Sequence, residues 1–126
     1  MNPTHRLLII DDNEEVLEAL GDFFSNRGYD ILSATNGKDG LLILRESQLP
    51  IDVVITDLVM PQISGVAVIA MVKEKYPDIP VIAITGWGES PRILASQAKA
   101  DLVLEKPFDL PALSQGVADL LSSGAR

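Results

Sequence analysis

At 126 residues, 47% of them apolar and 22% charged, the chain has the size and composition of one globular domain built on one core. The absence of cysteine excludes disulfide scaffolds, Cys-type zinc sites and thiol catalysis. A net charge of −8 argues against direct binding of nucleic acid or of an anionic membrane, since both are held by supplied cations.

The longest wholly apolar run, Val66 to Val72, is far too short to span a bilayer, and the stretch from Met1 to Arg6 lacks the apolar segment of a signal peptide, so the sequence predicts a cytoplasmic protein. Along the chain, strand-like and helix-like segments alternate. The first strand is Leu7-Leu8-Ile9-Ile10, followed by a helical stripe of Val16, Leu17, Leu20, Phe23 and Phe24 that stops at Gly28. A second strand over Tyr29 to Ala34 precedes a weak stripe, Leu41, Leu42 and Leu44, predicted as a two-turn helix. Val53-Val54-Ile55-Thr56 is the third strand, and Val66, Ile69, Val72 and Tyr76 stripe the helix that ends before Pro77. Val81-Ile82-Ala83-Ile84 is the fourth strand. Ser90-Pro91 opens a short helix carrying Ile93, Leu94 and Ala98, with serine as its cap and proline in its first turn. Leu102-Val103-Leu104 is the fifth strand, and Leu110, Leu113, Val117, Leu120 and Leu121 stripe the last helix.

The first, third and fourth strands are apolar on both faces, as strands covered by helices on both sides are. The pattern is therefore α/β, a (βα)5 chain with a doubly wound five-stranded parallel sheet of order 2-1-3-4-5. In such a sheet the crevice lies where strands 1 and 3 diverge at their carboxyl ends. Those ends carry Asp11-Asp12, Thr56-Asp57, Thr85-Gly86 and Glu105-Lys106-Pro107. Each has a plain structural explanation. Asp12 can cap the first helix, Asp57 can be a turn residue, Thr85 can bond to backbone, and Lys106 can be a solvated lysine before a structural proline. Their coincidence on one rim is harder to explain that way. Two carboxylates about 4 Å apart repel by roughly 4 kcal/mol at an effective dielectric of 20. Asp11, Asp12 and Asp57 sum to −3, Lys106 reduces this to −2, and a divalent cation brings it to zero. All-oxygen ligands point to Mg²⁺ beside a carboxylate faced by a lysine, an arrangement suited to phosphoryl transfer.

Four motifs in this order, Ile10-Asp11-Asp12, Thr56-Asp57-Leu58-Val59-Met60-Pro61 with Gly65 beyond, Ile84-Thr85-Gly86 and Lys106-Pro107-Phe108, resemble the receiver domain of two-component response regulators. The likeness runs from about Arg6 to Leu121 and implies one receiver domain over 1–126 with a flavodoxin-like three-layer sandwich fold. By resemblance, Asp57 is the phosphoacceptor for a phosphohistidine on a sensor histidine kinase or phosphotransfer protein. Asp12 would bind Mg²⁺ directly and Asp11 chiefly through water, with the backbone carbonyl of Val59 as a further ligand. Lys106 would bond a phosphoryl oxygen, joined to Pro107 by a cis peptide, and Thr85 would turn its hydroxyl toward the arriving group. The domain would act as a signalling phosphoacceptor that assists only its own phosphorylation and dephosphorylation. It would signal through the face made by the fourth and fifth predicted helices with the fifth strand, the same face by which it would dimerise.

The pattern departs from the family at Val103, where an aromatic ring usually moves with the threonine. The pliable Gly86-Trp87-Gly88 loop is the expected substitute for that ring. Val59 and Trp87, flanking the route of a hydrolytic water, can orient none, which predicts a long-lived phosphoryl group. His5 reads as an exposed terminal residue. Two other functions are compatible with parts of the pattern. A haloacid-dehalogenase-type phosphohydrolase would want a second aspartate where Val59 stands. A non-phosphorylated interaction module would have no need of the clustered carboxylates. No DNA-binding module follows the last predicted helix, which leaves open a stand-alone regulator or the receiver of a longer regulator or hybrid kinase.

Overall fold

The computed structural model describes residues 4–58, 60, 63–85, 99–105 and 109–123. Five strands, β1 (Arg6–Ile10), β2 (Asp30–Ala34), β3 (Val53–Asp57), β4 (Val81–Thr85) and β5 (Leu102–Glu105), form one parallel sheet of order β2-β1-β3-β4-β5. The described helices are α1 (Glu14–Ser25), α2 (Gly37–Glu46), α3 (Gly65–Lys75) and α4 (Leu110–Ser123), the last being the fifth helix expected from the sequence. The short helix expected after Ser90-Pro91 lies outside the described residues.

Strand alternation divides the core into two layers. Leu8 and Ile10 of β1, Val54 of β3, and Val81 and Ala83 of β4 pack with Leu44 of α2 and Val68, Ile69 and Val72 of α3. The intervening residues Leu7, Ile9, Val53, Ile55, Ile82 and Ile84 pack on the opposite face with Leu17, Leu20 and Phe24 of α1 and Leu113 and Val117 of α4. β1, β3 and β4 are almost wholly buried, as their continuous apolar runs require. Each large side chain so buried contributes roughly 2 kcal/mol. The apolar interior holds the middle of the sheet rigid and leaves chemistry to its ends.

Three details differ from the sequence reading. α2 is ten residues long rather than two turns, beginning at Gly37 behind an Asn36 cap whose side chain accepts the Asp39 N–H. α3 buries Gly65 and Val68 beside Ile69 and Val72, so its inward face is broader than the predicted stripe, whose Val66 and Tyr76 are partly buried against the same layer. α1 ends at Ser25, short of Gly28, and the chain turns through Asn26 before Gly28 takes a φ of 93°, a left-handed value suited to glycine.

Candidate functional site

β1 ends at Ile10, but the backbone N–H of Asp11 still donates to the Ala34 carbonyl at 3.1 Å, carrying the sheet pairing one residue onward. Asp11 is thereby buried, and its Oδ1 accepts the Asn13 N–H at 2.9 Å. Asn13 caps α1, its side-chain oxygen accepting from Glu15 at 2.9 Å and Val16 at 3.2 Å. That corrects one structural explanation for Asp12: the cap is its neighbour, and Asp12 sits exposed at the rim without a capping role.

Asp57 is the last residue of β3, aligned with Ile84, and only 6% exposed. Its backbone is fixed on both sides. The Thr56 hydroxyl donates to the Asp57 carbonyl at 3.0 Å, and the Leu58 N–H donates to the Ile84 carbonyl at 2.9 Å. Thr85 ends β4, fully buried, and its hydroxyl has no hydrogen-bond partner among the described residues. The expected strand-end bond from this hydroxyl to backbone is therefore not seen among those residues, leaving a buried donor at the carboxyl edge of the sheet.

Gly65 supports the same region from outside the sheet. Its N–H donates to the Leu58 carbonyl at 2.9 Å, so the first turn of α3 lies against the end of β3. A Cβ here would come within 2.6 Å of the Leu58 Cα and closer still to the Asp57 carbonyl oxygen. Only glycine permits that approach. The sequence reading used Gly65 as part of a motif, without this reason. Asn13 was the other contributor it missed, although its place just ahead of Glu14-Glu15 is a recognisable cap position.

One carboxylate oxygen from each of Asp11, Asp12 and Asp57 lies within 4.8 Å of the other two. At that separation each pair of like charges costs roughly 3 kcal/mol at an effective dielectric of 20. Two of the three groups are buried, so solvent screens them poorly. The donor set is wholly oxygen, which matches hard divalent cations, and it has both the charge and the proximity to hold one. Lys106, Pro107, Val59, Gly86 and Trp87 lie outside the described residues. Val103 is partly buried and packs on the core layer shared with α2 and α3. His5 is exposed just ahead of β1, as expected.

Comparison with known proteins gives a consistent result. The sequence pattern of the response regulator receiver domain matches residues 7–118. The transcriptional regulatory protein GlrR of Escherichia coli (strain K12) is 35% identical over 98% of this chain, which covers 27% of GlrR. The response regulator SaeR of Staphylococcus epidermidis is 35% identical over 83% of the chain and 44% of its own length. The chain thus spans less than half the length of these curated relatives. Among solved structures, a receiver domain protein from Clostridium thermocellum superposes with a TM-score of 0.88 at 32% identity, covering 94% of this chain and 95% of the other. The response regulator TrrA of Thermotoga maritima, solved in complex with Mg²⁺-BeF, superposes with a TM-score of 0.83 at 32% identity, covering 93% and 99% respectively. The phosphohydrolase alternative finds no support in these likenesses.

Proposed function

The chain belongs to the response regulator receiver domain family, and from that premise we propose that Asp57 is its phosphoacceptor, charged by a phosphohistidine on a sensor kinase or phosphotransfer protein. The observation that carries this reading is the convergence of the Asp11 and Asp12 carboxylates on that of Asp57, a buried aspartate held at the end of β3. A carboxylate oxygen of Asp57 forms the new O–P bond as the donor's P–N bond breaks. The electron pair returns to the imidazole nitrogen, which takes up a proton. The transition state of such a transfer is loose, so positioning and charge balance supply most of the catalysis.

Asp11, Asp12 and Asp57, with the backbone carbonyl of Val59, would hold Mg²⁺, which when bound supplies the positive charge that lets phosphoryl oxygens approach a carboxylate. The chain's own residues do the rest. Thr56, Leu58 and Gly65 immobilise the backbone around the nucleophile, and the Asn13 N–H orients Asp11. Lys106 would neutralise one phosphoryl oxygen. Esterification takes Asp57 from −1 to about −2, which gives the buried Thr85 hydroxyl an acceptor to meet. The TrrA complex supports this reading, because a beryllium fluoride is a tetrahedral stand-in for a phosphoryl group.

On this reading, residues from about Arg6 to Leu121 form one cytoplasmic receiver unit that promotes only its own phosphorylation and dephosphorylation. Signal passes through the face made by the helix expected after Ser90-Pro91 together with β5 and α4, with the Gly86-Trp87-Gly88 loop doing what an aromatic ring at Val103 would do. The same face would serve for pairing with a second copy. With Val59 and Trp87 unable to orient water, Val59→Asn should shorten the lifetime of the phosphoryl group. The deciding experiment is intact mass after incubation with acetyl phosphate and Mg²⁺. The wild type should gain one phosphoryl group, and Asp57→Asn or a chelator should abolish the gain. A wild type that never gains that mass would instead make the chain a non-phosphorylated interaction module.

A further inference from the structure

A groove between α2 and α3, well away from the carboxylate cluster, combines exposed apolar surface with unpaired positive charge. It encloses about 220 Å³, room for one or two large apolar side chains. Leu41 and Leu42 of α2 line one wall, and Met71 and Tyr76 line the other. Tyr76 also borders a second cavity, whose lining includes Leu49. Leu49 and Met71 are the large apolar side chains most exposed among the described residues, at 57% and 39%. Met71 lines the groove, and Leu49 lines the second cavity beside Tyr76.

The charge of the groove is opposite to that of the molecule. The chain as a whole carries −8, yet the charged residues lining the groove are Lys38, Arg45 and Lys75, with no acid among them. None of these three makes an ion pair among the described residues, whereas Arg6 is paired with Asp30 and Lys73 with Asp101. Arg45 and Lys75 occupy the last turns of α2 and α3, where cations complement the helix dipole. That account fails for Lys38, which sits in the first turn of α2, where a cation is disfavoured.

We propose that this groove is a docking site for an acidic amphipathic helix of a partner protein. Leucine or phenylalanine side chains at helical spacing would enter the cavity, and flanking carboxylates would meet Lys38, Arg45 and Lys75. The rest of the surface, net negative, repels such a segment and so directs it here. A second copy of this chain fits poorly. The exposed acids of α1, Glu14, Glu15, Glu18 and Asp22, lie on a face without a large exposed apolar side chain to fill the cavity. The proposal goes beyond the phosphoacceptor reading and does not depend on it.

The test uses a fluorescein-labelled synthetic peptide of about five helical turns, with leucine and phenylalanine on one face and glutamate elsewhere. A counterpart carries lysine for every glutamate. The acidic peptide should bind saturably and shift the methyl resonances of Leu41, Leu42 and Met71. Arg45→Glu with Lys75→Glu, or Met71→Asp alone, should weaken binding at least about tenfold, and Arg45→Lys with Lys75→Arg should preserve it. Phosphoryl uptake from acetyl phosphate should be the same in all of these variants, so failure here is separable from failure of the Asp57 reading. The proposal is overturned if the acidic peptide fails to bind, if the lysine peptide binds as tightly, or if the shifts fall elsewhere. It is equally overturned if the chain forms a dimer that Lys75→Glu dissociates, since the occupant is then a second copy.

Discussion

The two rims of the one sheet treat charge in opposite ways. At the amino ends of the strands, every ionic group described in contact is matched. The Arg6 guanidinium is paired with Asp30, which stands beside it in register on β2, and the Arg6 N–H donates to Asp52 at 2.7 Å. Asp101 accepts the Val81 N–H at 2.7 Å while pairing with Lys73, whose ammonium also donates to the Ile79 carbonyl at 3.2 Å. These contacts join neighbouring strands and stitch α3 to the sheet. At the carboxyl ends, three carboxylates are gathered within 4.8 Å of one another. The same backbone scaffold thus spends one edge on cohesion and accepts repulsion at the other. Folding could have relieved that repulsion with a single amide, and a surface selected for stability alone would not keep it.

The sharpest way to break this comparison is through the backbone that both rims share. Gly65→Val forces a side chain against the Asp57–Leu58 backbone, and overpacking of that kind should lower the unfolding free energy by about 3 kcal/mol or more. Urea unfolding measures the loss, and phosphoryl uptake should disappear with it. A variant as stable as wild type would mean that α3 can shift without disturbing the end of β3.

The next effect has the opposite sign. Asp57→Asn removes one of three clustered charges, so with a chelator present the variant should be more stable than wild type by roughly 1–3 kcal/mol. Adding Mg²⁺ should stabilise the wild type by mass action and raise its melting temperature, while the variant responds little. A substitution at Asp57 that destabilises the protein in chelator would remove the central argument from repulsion.

How much of this was legible beforehand follows from which forces leave a trace in sequence. The strands were, because β1, β3 and β4 are apolar throughout, and their order follows from the alternation with helices. The gathering of the carboxylates at one rim was legible for the same reason: Asp11, Asp57 and Thr85 each stand at the end of an apolar run, and the end of the run is the rim. The length of α2 was not. Gly37-Lys38-Asp39-Gly40 has poor helix propensity, and its two glycines are there because Ile63 and Val68 crowd Gly37 and Ile10 crowds Gly40. Those are tertiary contacts that no local pattern announces. The inward face of α3 was read only in part, without Val68, because Val66 to Val72 is apolar all round and periodicity alone cannot mark the limits of the face. Nor could sequence decide between Asp12 and Asn13 as the cap of α1, since both residue types cap well; only the Asp11 backbone bond to Ala34 sets where the turn begins.

On the cohesive rim, Asp101→Ala leaves the Val81 N–H without its acceptor and the Lys73 ammonium with the Ile79 carbonyl alone, and should cost about 2 kcal/mol. Asp101→Asn keeps an acceptor for Val81 and loses mainly the ion pair, a partly exposed one, and should cost about 1 kcal/mol or less. The contrast with Asp57→Asn is the useful reading. The same change from carboxylate to amide should weaken the protein at one end of the sheet and strengthen it at the other.

The smallest effect links the two kinds of behaviour. Asn13 stabilises by capping α1, and its own N–H holds Asp11 within the repulsive cluster. Asn13→Ala should cost about 1 kcal/mol through the lost cap, and Asn13→Ser should restore most of it. The N–H survives in both variants, so any change in Mg²⁺ affinity must come from the turn's position and not from a missing donor. A few-fold weaker Mg²⁺ response in Asn13→Ala, recovered in Asn13→Ser, would show that the cap fixes the carboxylate geometry. An affinity unchanged in both would mean that the Asp11 N–H bond to Ala34 is enough to hold the cluster together, leaving the cap with a purely structural part.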